Sequence, residues 1–283
     1  MSLDNKDFYM SVNLVMFKVE NAKREDAKKL PKKRLKVLLM KRNKEPFKGC
    51  WLFPYGFVNI DESLDDAVYR KLKETTKMDN IFLEQLYTWG AVDRDPTARV
   101  IATSYMAIIP EDQLKSQEIK EREELKWFTV SKEFVSFEKT SDVEMTSKYL
   151  VSLINDEEKV TIAYYVKEKT FTSGFEKRNK YSYEHYLEHS EKMAYDHIKI
   201  LDYALDRIKN KVFYTNIAFG LLPEYFTLTE LQQVYELLLG KQLVKSNFRQ
   251  LIGKKVEKTE QIKKDGAYRP SQLYRLKKES VLG

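Results

Sequence analysis

The sequence predicts an α+β protein built in two parts, and three observations carry that reading. Apolar, β-branched runs of strand length dominate the first half. After about residue 186 the apolar residues fall at helical spacing. The excess positive charge belongs to the last 43 residues alone: residues 241–283 hold 12 basic and 4 acidic side chains, a net of +8, against 38 and 39 in the first 240. A localised basic segment of this size points to a polyanionic partner. At roughly 150 residues per domain, a chain of 283 residues suggests two.

Hydrophobic residues make up 42% and aromatics 13%, enough for a sizeable core, so wholesale disorder is excluded. With 9 Gly and 7 Pro, collagen-like and linker-dominated chains are excluded too. No apolar run approaches the ~18 residues that a spanning helix needs. The opening MSLDNKDFYM carries acids and no long apolar stretch, so it does not read as a secretory signal. Cys50 is the single cysteine, which excludes disulfide scaffolds and cysteine-based zinc sites and favours a cytoplasmic location.

Residues 12–19 (VNLVMFKV) predict a buried strand, and residues 35–41 (LKVLLMK) the next. The charged stretch between them, with Pro31 near its end, predicts a solvated hairpin loop, because acids are mixed among its lysines. Residues 81–89 and 100–109 predict further strands. Between them Ala91-Val-Asp-Arg-Asp-Pro96 is turn-forming. Residues 127–130 begin a short strand and residues 140–153 predict a helix. Residues 160–166 and 177–183 predict a hairpin turning at Ser173-Gly174. Residues 194–208 carry Ile198, Leu201, Leu205 and Ile208 at helical spacing. The domain boundary is placed near residue 190, dividing the chain into 1–190 and 191–283. His185, His189 and His197 lack the carboxylate partners of a known metal motif and are assigned surface or structural roles.

Residues 49–78 read GCWLFPYGFVNIDESLDDAVYRKLKETTKM. After Asp61-Glu62-Ser63 a helix is predicted, with Leu64, Ala67, Val68 and Leu72 as its core stripe. Positions 71, 74 and 75 share another face. Carboxylates there would hold Mg²⁺ or Mn²⁺ on a diphosphate. The stretch resembles the Nudix box, with Gly56, Glu62, Arg70, Leu72, Glu74 and Met78 in place and Trp51-Leu52-Phe53-Pro54 as its lead-in. Lys71 and Thr75 stand where metal-binding glutamates belong, Lys77 replaces the final glycine, and Tyr55 replaces the glycine before Gly56. One remaining helix carboxylate makes a poor Mg²⁺ site, and an ammonium at residue 71 repels a divalent ion. No catalytic residue is therefore assigned in this degenerate box, and no cofactor is required.

In the last third, Thr227-Leu-Thr-Glu230 reads as a capping box, with Phe226 and Leu231 at the staple positions. Leu231, Val234, Tyr235 and Leu238 follow as an apolar stripe, and Gly240 closes the helix. Ser246 is read as the cap of a second helix, with Phe248, Leu251 and Ile252 facing inward. Strands at 256–262 and 272–276 then flank a turn at Lys263-Lys-Asp-Gly266. Helix, turn, helix and basic hairpin predict a winged helix-turn-helix, a reader of double-stranded DNA. The candidate DNA residues are Ser246, Asn247, Arg249, Gln250, Lys254, Lys255, Lys263, Lys264 and Arg269. A basic module for protein partners is the competing reading.

Together with residues 82–107, these features resemble the NrtR family of Nudix-related transcriptional regulators. The resemblance implies a Nudix-like α/β/α sandwich with a mixed sheet, followed by the winged helix. It also implies a homodimer on a palindromic operator, and the lack of a long apolar run predicts no membrane partner. Its effector would be ADP-ribose, another NAD-linked nucleotide or a sugar phosphate. The candidate ligand residues are Trp51, Phe53, Arg70, Asp93, Arg94 and Tyr105. The competing reading is a Mg²⁺- or Mn²⁺-dependent Nudix hydrolase of ADP-ribose or another nucleoside diphosphate compound.

Overall fold

The computed structural model describes residues 8–23, 30–79, 81–110, 124–186, 191–263 and 270–278. Strand β1 (Phe8–Asn21) is the spine of the fold, and every residue from 11 to 17 in it is buried. A strand buried on both faces needs cover on both. It pairs antiparallel with β2 (Lys33–Lys41) and parallel with β6 (Arg99–Ile108), which makes the sheet mixed. Beyond β6 lies β5 (Phe82–Trp89). Beyond β2 lie β7 (Leu125–Lys139), β8 (Glu144–Asn155), β9 (Val160–Ser173) and β10 (Glu176–His185), in that order. The short β3 (Trp51–Leu52) pairs with β2, and β4 (Tyr55–Phe57) with β1.

Two of these strands depart from the expectation. Residues 140–153, predicted as a helix, lie mainly in β8, and the predicted short strand at 127–130 is part of the 15-residue β7. Strand β8 is paired along its length with β7 and β9, and Val151 and Leu153 point into the core. The β9–β10 hairpin is as predicted, with Gly174 at φ 60° in its turn.

One face of the sheet is covered by α1 (Leu64–Thr76), which lays Ala67, Val68 and Leu72 onto Val12, Leu14, Met16 and Leu38. Ser63 caps it in a box with Asp66, and Lys77 closes it at φ 59°, the left-handed geometry that a glycine would adopt freely. The other face is covered by α2 (His197–Lys211). The α2 N-terminus is seated by His197, whose ring stacks on Phe53 at 5.3 Å while its Nδ1 accepts the Phe53 N–H at 2.9 Å. Burial pushes His197 down to about 3, so the ring is neutral.

A short 3₁₀ turn (Phe219–Leu221) leads to α3 (Leu228–Leu239), α4 (Lys245–Ile252) and the ribbon of β11 (Val256–Lys263) with β12 (Ser271–Leu276). The Thr227–Glu230 capping box is present, and Gly240 takes φ 66°. Two details correct the sequence reading. Helix α4 begins after Val244, so Ser246 lies inside it and caps nothing. Leu251 is 47% exposed, because Phe248 and Ile252, one turn apart, already fill the inward face. No helix among the described residues is long and apolar enough to cross a membrane.

Two outcomes test this packing. Thr227→Ala removes the cap acceptor of Glu230 N–H and should cost about 1 kcal/mol in urea unfolding, while Thr227→Ser should cost far less. His197 resists protonation when folded but takes a proton near 6.5 when unfolded. Its contribution is therefore complete above about pH 6.5 and falls as the pH drops toward 3. Between pH 7.5 and 5 the parent should lose about 2 kcal/mol more stability than His197→Gln; equal losses would show that this ring does not govern the acid limb.

Candidate functional site

The box helix has turned its charges on one another. Glu62 accepts from Arg70 at 2.6 and 3.0 Å and from the Asn59 N–H at 2.8 Å. The Arg70 hydrogen bonds hold Glu62 down at about 2. Glu74, the surviving helix carboxylate, pairs with Arg70 at 3.2 Å and with Lys71 at 3.5 Å. The Lys71 stem runs so close to Gly56 that a Cβ there would meet its Cδ at 3.5 Å. Thr75 is buried and bonds the Lys71 carbonyl at 2.7 Å. Where a divalent ion would need converging oxygens, this helix offers an ammonium, a buried hydroxyl and a carboxylate already shared by two cations. These residues do not fit a Mg²⁺ or Mn²⁺ site.

The six candidate ligand residues separate onto two sides of the sheet. Arg70 and Tyr105 are on the α1 side, where the Tyr105 hydroxyl donates to Asp65 at 3.0 Å. Burial, with Asp65 beside it, pushes Tyr105 up to about 12. Trp51, Phe53 and Arg94 meet on the α2 side. Trp51 donates its indole N–H to Glu191 and packs edge-on against Phe128. Arg94 forks onto Asp196 at 2.7 and 3.1 Å, with side-chain exposures of 6% and 8%. Asp93 is exposed in the same loop.

Around Arg94 the structure adds residues that the sequence does not assign to a ligand site. Arg42 donates to the Tyr55 hydroxyl at 3.2 Å and lies 5.3 Å from the Tyr195 ring. Tyr195 packs against Phe47 at 4.7 Å. Tyr55 falls within the box stretch, but Arg42, Phe47 and Tyr195 carry no motif, and the four come from three separate stretches of chain.

On the winged helix, α4 presents Ser246, Asn247, Arg249 and Gln250 outward, and Lys254 follows just past its end, all exposed. Lys245, which the sequence reading passes over, stands at the start of the same helix. Two other candidates are engaged within the protein. Lys255 reaches the carbonyls of Phe213 and Thr215 at 3.4 and 3.5 Å, and Lys263 pairs with Glu230 at 2.7 Å. Lys264 and Arg269 lie outside the described residues. The exposed group thus offers two donor-bearing amides, one guanidinium fork and two ammonium groups on one short helix and its end, a set suited to base edges and phosphates.

Comparison with known proteins agrees with both halves of this geometry. The NUDIX domain matches residues 28–148, and the NrtR DNA-binding winged helix domain matches residues 218–276. Over 272 residues the chain is 29% identical to the ADPR responsive transcriptional repressor NtrR of Acinetobacter baylyi, covering 94% of this chain and 81% of that one. Shewanella oneidensis NrtR, crystallised with a 27mer DNA, is 26% identical with a TM-score of 0.64, over 96% of this chain and 95% of that one. A MutT/nudix family protein from Enterococcus faecalis is 26% identical with a TM-score of 0.63, over 96% and 89%. A Nudix fold whose box lacks its metal ligands is joined here to a winged helix, and in that order the chain is similar, along almost its whole length, to the NrtR-like, Nudix-related transcriptional regulators.

Proposed function

We propose that the protein is a ligand-responsive transcriptional regulator. Its winged helix binds operator DNA, and its Nudix domain senses ADP-ribose or a closely related nucleotide rather than hydrolysing it. The observation that carries this reading is the exposed α4 face joined to a Nudix helix whose metal ligands are replaced or paired off. The relatives support it: one is an ADP-ribose responsive repressor, and another was solved on DNA. We read the working unit as a cytoplasmic homodimer on a palindromic site, with sensor and reader divided near residue 190. Asn247, Arg249 and Gln250 are assigned to base edges, and Lys254 to phosphate. Lys255 and Lys263 reach DNA only by leaving their present partners.

Operator binding measured by fluorescence anisotropy, with and without ADP-ribose, tests the reading. Affinity for the operator should change on adding ADP-ribose; identical curves at saturating ligand would remove it as effector. Arg249→Ala or Gln250→Ala should reduce discrimination between operator and random DNA by roughly 1–3 kcal/mol for each bidentate base pairing removed. Lys254→Ala should weaken all sequences alike and flatten the log–log salt slope by about one. If every DNA competes equally, specific operator recognition is excluded.

The enzyme question has its own measurement. With ADP-ribose and Mg²⁺ or Mn²⁺, turnover should stay far below the ~1 s⁻¹ floor of ordinary enzymes. Sustained turnover at that level would make the chain a hydrolase.

A further inference from the structure

Asp196 holds Arg94 as a bound anion would. The two guanidinium N–H groups meet its two carboxylate oxygens at 2.7 and 3.1 Å, and both side chains are more than nine-tenths buried. An arginine fork recognises carboxylate and phosphate by the same planar, two-point geometry. Beside the pair stand a second guanidinium, Arg42, and three partly exposed rings, Tyr55, Tyr195 and Phe47. Two guanidinium groups with aromatic faces suit a ligand that carries both phosphate charge and a flat base.

Asp196 also has somewhere else to go. It occupies the N-cap of α2, where aspartate is a favoured residue, yet its side chain makes no capping hydrogen bond there. Its carboxylate therefore has two alternative partners: the Arg94 fork and the N–H of Ile198, the second residue of α2, since His197, Lys199 and Ile200 already donate to the carbonyls of Ala194 and Asp196.

We propose that Asp196 is an internal stand-in for a ligand phosphate. A nucleoside diphosphate sugar takes Arg94 from it, Arg42, Tyr55 and Tyr195 complete the site, and the released carboxylate caps and re-seats α2. The class of ligand rests on the functional reading above; the exchange at Arg94 rests on the geometry alone. Helix α2 can carry the change onward. Its last turn pairs with the sheet through Lys211 and Glu84 at 2.7 Å, and the chain just beyond it is held to the end of α4 by Lys255.

The test is calorimetric titration of ADP-ribose, and separately of inorganic pyrophosphate, into the full chain and into Asp196→Asn and Arg94→Ala. Removing an internal competitor should make Asp196→Asn bind both at least about tenfold tighter than the parent, because the site is no longer closed in most molecules. Arg94→Ala should lose both. Hydrogen exchange on the unmodified protein adds a readout that needs no variant to fold: the Ile198 amide should gain protection when either compound binds. If Asp196→Asn binds neither compound more tightly, or Arg94→Ala binds them as the parent does, the proposal is overturned. If Asp196→Asn does not fold, unchanged exchange at Ile198 overturns it instead. If ADP-ribose fails everywhere while pyrophosphate follows the expected pattern, the exchange site stands and the choice of effector fails.

Discussion

The architecture depends on the double burial of β1. Its residues alternate between two apolar layers, Val12, Leu14 and Met16 toward α1, and Val15, Phe17 and Val19 toward α2. Burying each such side chain is worth roughly 1.5–3 kcal/mol, so neither layer can be left open. The second layer is not completed by the Nudix part alone. One continuous apolar cluster runs from Val15 and Phe17 through Ile200, Leu201 and Ala204 of α2 to Leu231, Val234, Tyr235 and Phe248 of the winged helix. The helix that supports the DNA-reading surface is thus packed into the same core that shapes the sensor.

Charges pin this arrangement at three places along α2. Arg94 holds Asp196 at its start, Lys132 joins Asp202 and Asp206 at 2.6 and 2.8 Å in its middle, and Glu84 meets Lys211 near its end. Burial opposes the Lys132 charge, but the two aspartates more than restore it, so its pKa lies above the ordinary lysine value. Buried pairs of this kind contribute little net stability against an apolar alternative, but breaking one leaves a costly lone charge. They therefore specify where α2 sits more than how strongly it is held.

Much of the fold is legible in the sequence because its signals are local. The 227–230 capping box, Gly240, the β9–β10 hairpin and the α1 stripe each depend on residues within one or two turns of one another. Strand β8 escapes such a reading because residues 140–153 suit either structure locally, and pairing on both edges decides the matter. The loss of the metal ligands at positions 71 and 75 is legible for the same local reason. Their replacement by interactions is only partly so: the Lys71–Glu74 pair follows from spacing, but the burial of Thr75 does not. Least visible is the cluster around Arg94. Arg94 and Asp196 lie 102 residues apart, and Arg42, Phe47, Tyr55 and Tyr195 are gathered by the sheet, not by any spacing in the chain.

The shared core gives α2 mechanical leverage. At 15 residues it is about 22 Å long. A tilt of roughly 5° about its first turn would carry its far end about 2 Å. Hydrogen bonds tolerate only about 0.5 Å of variation in length. Close-packed interiors do not absorb such a displacement as a soft hinge would, so they pass it to whatever is packed against them. A swing too small to alter the outline of the molecule is then enough to shift the exposed face of α4 by more than a hydrogen bond can follow.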